Sequence, residues 1–164
     1  MEKILIDGYN LLYKDGTLKN LAERSLESAR DQLLSMVAAW RSGETEVQIV
    51  FDGRSTESQR RAAPTPGIRV LFSRYPQTAD EVILAIIDKE RRRSSLTVVT
   101  SDEKDIGRVA RSEGVRWVSS EKFIRRLRRA KGRPAAASEK PLTTSPEEME
   151  YWLQRFGAGV REKK

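Results

Sequence analysis

A chain of 164 residues with 34% charged side chains, 38% hydrophobic ones and a formal net charge of +7 suits one soluble domain, since single cores usually hold about 100 to 200 residues. It contains no cysteine and no histidine, which removes disulfide frameworks, thiol nucleophiles, serine-histidine triads, imidazole acid-base pairs and metals ligated by either residue. Chemistry on this chain therefore rests on carboxylates, hydroxyls, lysine, arginine or a bound hard cation.

No apolar run approaches the roughly 18 residues that a membrane span needs. The first twenty residues carry Asp7, Lys14 and Asp15 and no continuous apolar segment, so a cytoplasmic location without membrane attachment is expected. The first element is an apolar strand, Ile4-Leu5-Ile6, running abruptly into Asp7-Gly8-Tyr9-Asn10. Residues 9–21, interrupted by Gly16, read as a short helix or loop. Ser25 caps a helix in which Leu26, Ala29, Leu33, Met36, Val37 and Trp40 share one face, and Gly43 ends it.

A second strand over 46–51 ends in Asp52-Gly53. Residues 53–67 hold Gly, Ser, Thr and two prolines, together with Arg54, Arg60 and Arg61. Loops beyond about 12 to 15 residues are usually functional or mobile, so this one is expected to be a basic flap beside a cleft, with a plain insertion as the equal alternative. A third strand follows over 68–72. Thr78 opens a helix reaching Arg93, with Glu81 completing a capping box and Val82, Ile83, Ala85, Ile86 and Ile87 forming its buried face.

A strand over 96–100 runs into Ser101-Asp102, a short helix from Glu103 stops at Gly114, and a fifth strand covers 115–118. Ser119 or Ser120 caps a basic helix over 121–131. Residues 132–145 read as a linker. Beyond it Ser145 caps a last helix whose Met149, Trp152, Leu153 and Phe156 form an apolar stripe expected to dock back on the domain.

Strands alternating with helices imply an α/β fold with a mainly parallel five-stranded sheet and helices on both faces. In such sheets ligands bind at the carboxyl ends of the strands, which puts Asp7, Asp52 and Asp102 on one edge. Each aspartate taken singly is a common turn or cap residue. Together with Asp80 and Glu81 at a helix start they gather negative charge, which is unfavourable unless a cation compensates it. Oxygen ligands alone favour Mg²⁺ or Mn²⁺, and such a site suits phosphodiester hydrolysis.

Asn10 is placed to orient a water or a phosphate oxygen, and Thr100 or Ser101 to hold a carboxylate; turn formation and capping are the plain alternatives. The positive charge is concentrated in residues 121–140, where Lys122, Arg125, Arg126, Arg128, Arg129, Lys131, Arg133 and Lys140 stand against Glu121 and Glu139. Such a segment beside acidic strand ends fits a polyanion substrate, with a solvated helix face as the plain reading.

Asp7-Gly8-Tyr9-Asn10, Phe51-Asp52, Thr78-Ala79-Asp80-Glu81 and Thr100-Ser101-Asp102, in that order, resemble the NYN domain of the PIN-like nucleases, and within it the YacP-like bacterial group. The resemblance spans about residues 1–131, and the tail from Lys140 to Glu148 is similar as well. It implies a three-layer α/β/α sandwich of PIN-like type and metal-dependent endoribonuclease activity on RNA, with mRNA at the ribosome as the setting. It also implies metal-binding acids at Asp7, Asp80 and Asp102, catalytic companions at Asn10 and Ser101, and Asp52 as a metal or supporting acid. Asp105 lies near where related nucleases carry another acid, at a different spacing.

RNA contacts are expected from Arg54, Arg60 and Arg61 in the flap and from Arg125, Arg126, Arg128 and Arg129 in the basic helix. Three rivals stay open: a phosphoacceptor receiver-like domain with Asp52 as acceptor, a non-catalytic RNA- or ribosome-binding module, and a toxin-like nuclease with a dedicated antitoxin.

Overall fold

The structure, a computed structural model, describes residues 1–53 and 65–131. Five strands form a single sheet: β1 (Glu2–Asp7), β2 (Thr45–Phe51), β3 (Ile68–Phe72), β4 (Leu96–Val99) and β5 (Arg116–Val118). Their spatial order is β3-β2-β1-β4-β5, and every neighbouring pair is parallel. Parallel strands covered on both faces read as continuous apolar runs. That is why Ile4, Leu5 and Ile6 in the central β1 are all buried, with Ile6 flanked by Ile49 and Val99.

Among the described residues six α-helices cover the sheet: α1 (Gly8–Tyr13), α2 (Gly16–Arg24), α3 (Leu26–Trp40), α4 (Ala79–Lys89), α5 (Arg108–Ser112) and α6 (Ser120–Lys131). On one face Ile4, Ile6, Val47, Ile49 and Phe51 pack with Leu11, Leu12, Leu18, Leu33, Val37, Phe123 and Leu127. On the other, Leu5, Val50 and Val98 pack with Ile83 and Ile87 of α4, Ile106 and Ala110. The alternation of β1 side chains between these two cores makes the three-layer α/β/α sandwich that was expected, with α1, α2, α3 and α6 on one side and α4 and α5 on the other.

Several element ends differ from the sequence reading, each for a local reason. Residues 9–21 form two helices rather than one short segment, because Asp15 turns extended and its side chain accepts the Leu18 N–H at 2.9 Å, capping α2 with Gly16 as its first residue. The α4 helix stops at Lys89 instead of Arg93. Glu90 leaves the helical conformation, and its carboxylate accepts from Lys3 Nζ at 2.8 Å and from the Arg92 N–H at 2.9 Å; a 3-10 turn then covers Arg93–Ser95. The expected short helix from Glu103 begins as a π-helical turn, Glu103–Gly107, before α5. Gly114 ends it at φ +73°, a conformation that favours glycine.

The Thr78–Glu81 capping box is present, with both reciprocal bonds formed. The strand order also disposes of the receiver-like alternative, since receiver sheets place β1 between β2 and β3, whereas here β1 lies between β2 and β4. No helix among the described residues is long and apolar enough to cross a membrane. The chain divides into the units Met1–Arg133 and Pro134–Lys164. The linker over 132–145 and the last helix fall outside the described residues.

Candidate active site

The chain leaves β1 toward β2 on one side, and β4 leads to β5 on the other, so the sheet changes direction between β1 and β4. A crevice opens at the carboxyl ends of two such strands. Asp7 closes β1, and Thr100-Ser101-Asp102 follow β4 directly. Gly8 is required at the turn because a Cβ there would run into the Phe51 ring. An open cleft of about 280 Å³ is lined by Asp7, Tyr9, Asp52, Thr78, Ala79 and Asp80.

Asp7 is 8% exposed. Its Oδ2 accepts a hydrogen bond from the Thr100 hydroxyl at 3.2 Å, and the same Thr100 oxygen accepts the Asp102 N–H at 3.2 Å. One buried hydroxyl, 93 residues from Asp7 in sequence, thus ties two acids together. Burial, then the charge on Asp80, push the Asp7 carboxyl up to about 6; the Thr100 hydroxyl and the Asn10 backbone N–H oppose that rise, and Asp102 adds to it. Asp80 is also raised, first by loss of water around it and then by the charges on Asp102, Asp105 and Asp52. It stands at the exposed rim, where water screens part of that effect.

Asn10 Oδ1 accepts the Ser101 N–H at 2.8 Å and the Ser120 hydroxyl at 2.6 Å. A backbone N–H can only donate, so this bond fixes which end of the amide is oxygen. The Nδ2 group has no acceptor among the described residues. The Ser101 hydroxyl donates to Glu121 Oε2 at 3.0 Å, and Lys14 Nζ lies 3.6 Å from Glu121 Oε1. Glu121 is held below its ordinary pKa by a backbone hydrogen bond at the helix start, then by Ser101 and Lys14. Through these bonds α1, the β4 turn and the start of α6 act as one frame around the acids.

Asp102 caps the π-helical turn by accepting the Asp105 N–H at 3.0 Å. Asp105 itself is exposed and close enough to raise Asp80. Asp52 is half-buried in the cleft wall, with the Ser73 hydroxyl donating to its Oδ1 at 3.3 Å. The structure therefore brings Asp7, Asn10, Asp52, Asp80, Ser101, Asp102 and Asp105 to one edge. No group of three His, Cys, Asp or Glu side chains among the described residues is drawn tightly enough to cage a metal ion.

Among the basic residues, Arg125, Arg126 and Arg129 are exposed on α6. Arg128 differs from them: its guanidinium grips Asp15 through Nε at 2.8 Å and through Nη2, and reaches the Thr17 hydroxyl at 3.3 Å. Arg54, Arg60 and Arg61 fall outside the described residues. Two buried charged residues, Asp15 and Arg30, have no site or packing role assigned from the sequence. Arg30 had a visible signal: it stands at the i+4 position from Leu26 and three before Leu33, inside the apolar stripe of α3.

A family model described as the YacP-like NYN domain matches residues 4–158. YacP of Bacillus subtilis (strain 168) is 33% identical over 84 residues, covering 51% of this chain and 49% of that protein. The alignment thus spans about half the length of that relative. The crystal structure of Rae1 (YacP) from Bacillus subtilis is similar at a TM-score of 0.67 and 22% identity, covering 97% of this chain and 83% of that one. A tryptophan-to-leucine variant of the same protein gives 0.64 at 22% identity, with 98% and 86% covered. At that identity the likeness speaks for the fold.

Proposed function

The chain belongs to the YacP-like NYN domain family, a nuclease-type family with an RNA-related function, and on that premise we propose that it is a metal-dependent endoribonuclease hydrolysing RNA phosphodiester bonds. The setting is the cytoplasm, with mRNA at the ribosome as substrate. One observation carries the reading. Asp7, Asp80 and Asp102 converge at the sheet's switch point with their charges coupled, and no lysine or arginine among the described residues pairs with any of them.

The donor set fits Mg²⁺ or Mn²⁺. It consists of oxygen atoms only, and Mg²⁺ keeps several waters while binding through one or two carboxylates, so a loose acidic edge suits it better than a closed cage. Asp7, Asp80 and Asp102 would hold the ion, with Asp52 and Asp105 adding negative potential around it. When bound, the cation supplies positive charge for the developing phosphorane and makes water a better nucleophile at neutral pH.

The chain's own groups do the rest. Thr100 keeps Asp7 and Asp102 in fixed register by donating to one and accepting from the backbone of the other. Asn10, with its oxygen committed to Ser101 and Ser120, keeps Nδ2 for a water or a phosphate oxygen. Ser101 is held by Glu121 and keeps the β4 turn in place. Arg125, Arg126 and Arg129 offer phosphate contacts on the outer face of α6.

The test is incubation of purified protein with mixed RNAs, with and without Mn²⁺, and mapping of the cut ends; translating ribosomes are added if naked RNA stays intact. Mn²⁺-dependent cuts that disappear in Asp80→Asn support the reading. RNA that binds but stays whole in both settings makes the protein a non-catalytic RNA-binding module instead.

A further inference from the structure

Arg30 is 5% exposed and is one of the buried residues of α3, the others being the apolar Ala29, Leu33, Leu34, Met36 and Val37. A buried guanidinium is normally matched by a carboxylate, because an uncompensated charge in a protein interior is strongly unfavourable. No carboxylate among the described residues pairs with Arg30. Its two partners are neutral: Nη1 donates to the Tyr9 phenol at 3.1 Å, and the guanidinium lies 5.6 Å over the Phe72 ring.

Tyr9 links this cation to the cleft, which it lines beside Asp7, Asp52 and Asp80. Its ring is wedged against Phe51 at a centroid distance of 4.9 Å, which fixes where the phenol stands. The phenolic oxygen is already an acceptor for Arg30, so its single proton is left to donate. No acceptor among the described residues takes that proton, although the cleft is rich in carboxylates. Behind Tyr9 in the lining of an acidic cleft thus stands a buried positive charge, and the phenol keeps an O–H that no described residue receives.

We propose that Arg30 and Tyr9 form a subsite for a phosphate oxygen of single-stranded RNA, next to the acidic edge. This rests on the nuclease reading of the cleft and adds to it the element that holds a polyanion against repulsive carboxylates. Tyr9 is the contact, and Arg30 is the positioning residue that keeps the phenol oriented and supplies the compensating charge. Single-stranded substrate follows from Tyr13, which is 49% exposed with its ring 6.3 Å from that of Tyr9, and offers a stacking face for an unpaired base beside the subsite.

The experiment titrates a labelled single-stranded RNA oligonucleotide by fluorescence anisotropy in EDTA at several salt concentrations, with RNA integrity read on a gel. Tyr9→Phe is expected to weaken binding by about tenfold, the loss typical of one hydrogen bond to a charged group, with the salt slope unchanged. Arg30→Met is expected to weaken it at least as much and to lower the salt slope by about 0.7, the value for one single-strand phosphate whose charge is no longer neutralised; Arg30→Lys recovers the slope. Wild-type affinity in Tyr9→Phe overturns the subsite whatever Arg30→Met does, while leaving the nuclease reading intact. Failure of the wild-type protein to bind any RNA, alone or with ribosomes, overturns both.

Discussion

Asp7 and Asp15 are two aspartates buried to nearly the same degree, 8% and 3% exposed, in opposite circumstances. Asp15 is fully answered: it caps α2 through the Leu18 N–H and takes the Arg128 guanidinium from α6. Asp7 receives one side-chain hydrogen bond, from the Thr100 hydroxyl, and the charged groups that act on it, Asp80 and Asp102, are acids. Burying a carboxylate is tolerable when partners replace its water and costly when they do not. Asp15 is therefore a clamp within the fold, whereas Asp7 is held at a cost that folding alone does not explain. Strong perturbation of this kind marks functional sites.

The comparison can be broken most severely at the acidic edge. Asp80→Asn and Asp102→Asn are expected to lower Mn²⁺-dependent RNA cleavage by on the order of a hundredfold or more while the fold stays intact. Wild-type rates with unchanged circular dichroism would remove those residues from the site. On the other side, Asp15→Ala should cost stability instead of chemistry. It strips the cap from α2 and leaves Arg128 without its partner, for a loss of roughly 2–3 kcal/mol in chemical denaturation. Cleavage below the melting transition should be unaltered, and a stable but inactive Asp15→Ala would erase the distinction between the two aspartates.

A gentler test uses pH. The Asp7 carboxyl is raised from 3.8 to about 6 in the folded protein, so the native state binds the extra proton between those values. Stability from this group is fully present below about pH 4 and is lost as pH rises through 6, a change of roughly 3 kcal/mol at most. In EDTA, Asp7→Asn should thus be more stable than the wild type at pH 7.5, and the gain should shrink toward pH 4. Urea midpoints at the two pH values measure it, and a destabilised Asp7→Asn at pH 7.5 would contradict the cost assigned to Asp7. The smallest effect is expected at the helix surface: Arg125→Gln, Arg126→Gln and Arg129→Gln together should weaken RNA binding and flatten its salt dependence, leaving the cleavage step unchanged.

What was legible in the sequence follows how local each signal is. The strand ends at Asp7 and Asp52, the Thr78–Glu81 box and the Ser25 cap all rest on residues within a few positions of one another, and all stand in the structure. The gathering of Asp7, Asp80 and Asp102 was also within reach, because a parallel sheet delivers its strand ends to one edge. The α2 helix was missed because Gly16 reads as a breaker, although a glycine directly after a capping aspartate sits at a tolerated first position.

The Asp15–Arg128 clamp joins residues 113 apart, and no period or motif announces such a pair. Arg128 is accordingly the α6 arginine already committed to the fold, while the sequence placed it with its three exposed neighbours. Arg30 lay in plain view as a charge inside an apolar stripe. Its meaning depends on Tyr9 and Phe72, which reach it only through α1 and β3.

The central claim is that the unanswered charge at the sheet edge is meant for a divalent cation. Calorimetric titration of Mn²⁺ into metal-free protein at pH 7.5 tests it most directly, using the wild type, Asp7→Asn and Asp15→Asn side by side. The expected result is binding in the wild type and in Asp15→Asn, with the heat lost in Asp7→Asn. Equal Mn²⁺ binding by all three, or none by the wild type, would contradict the account.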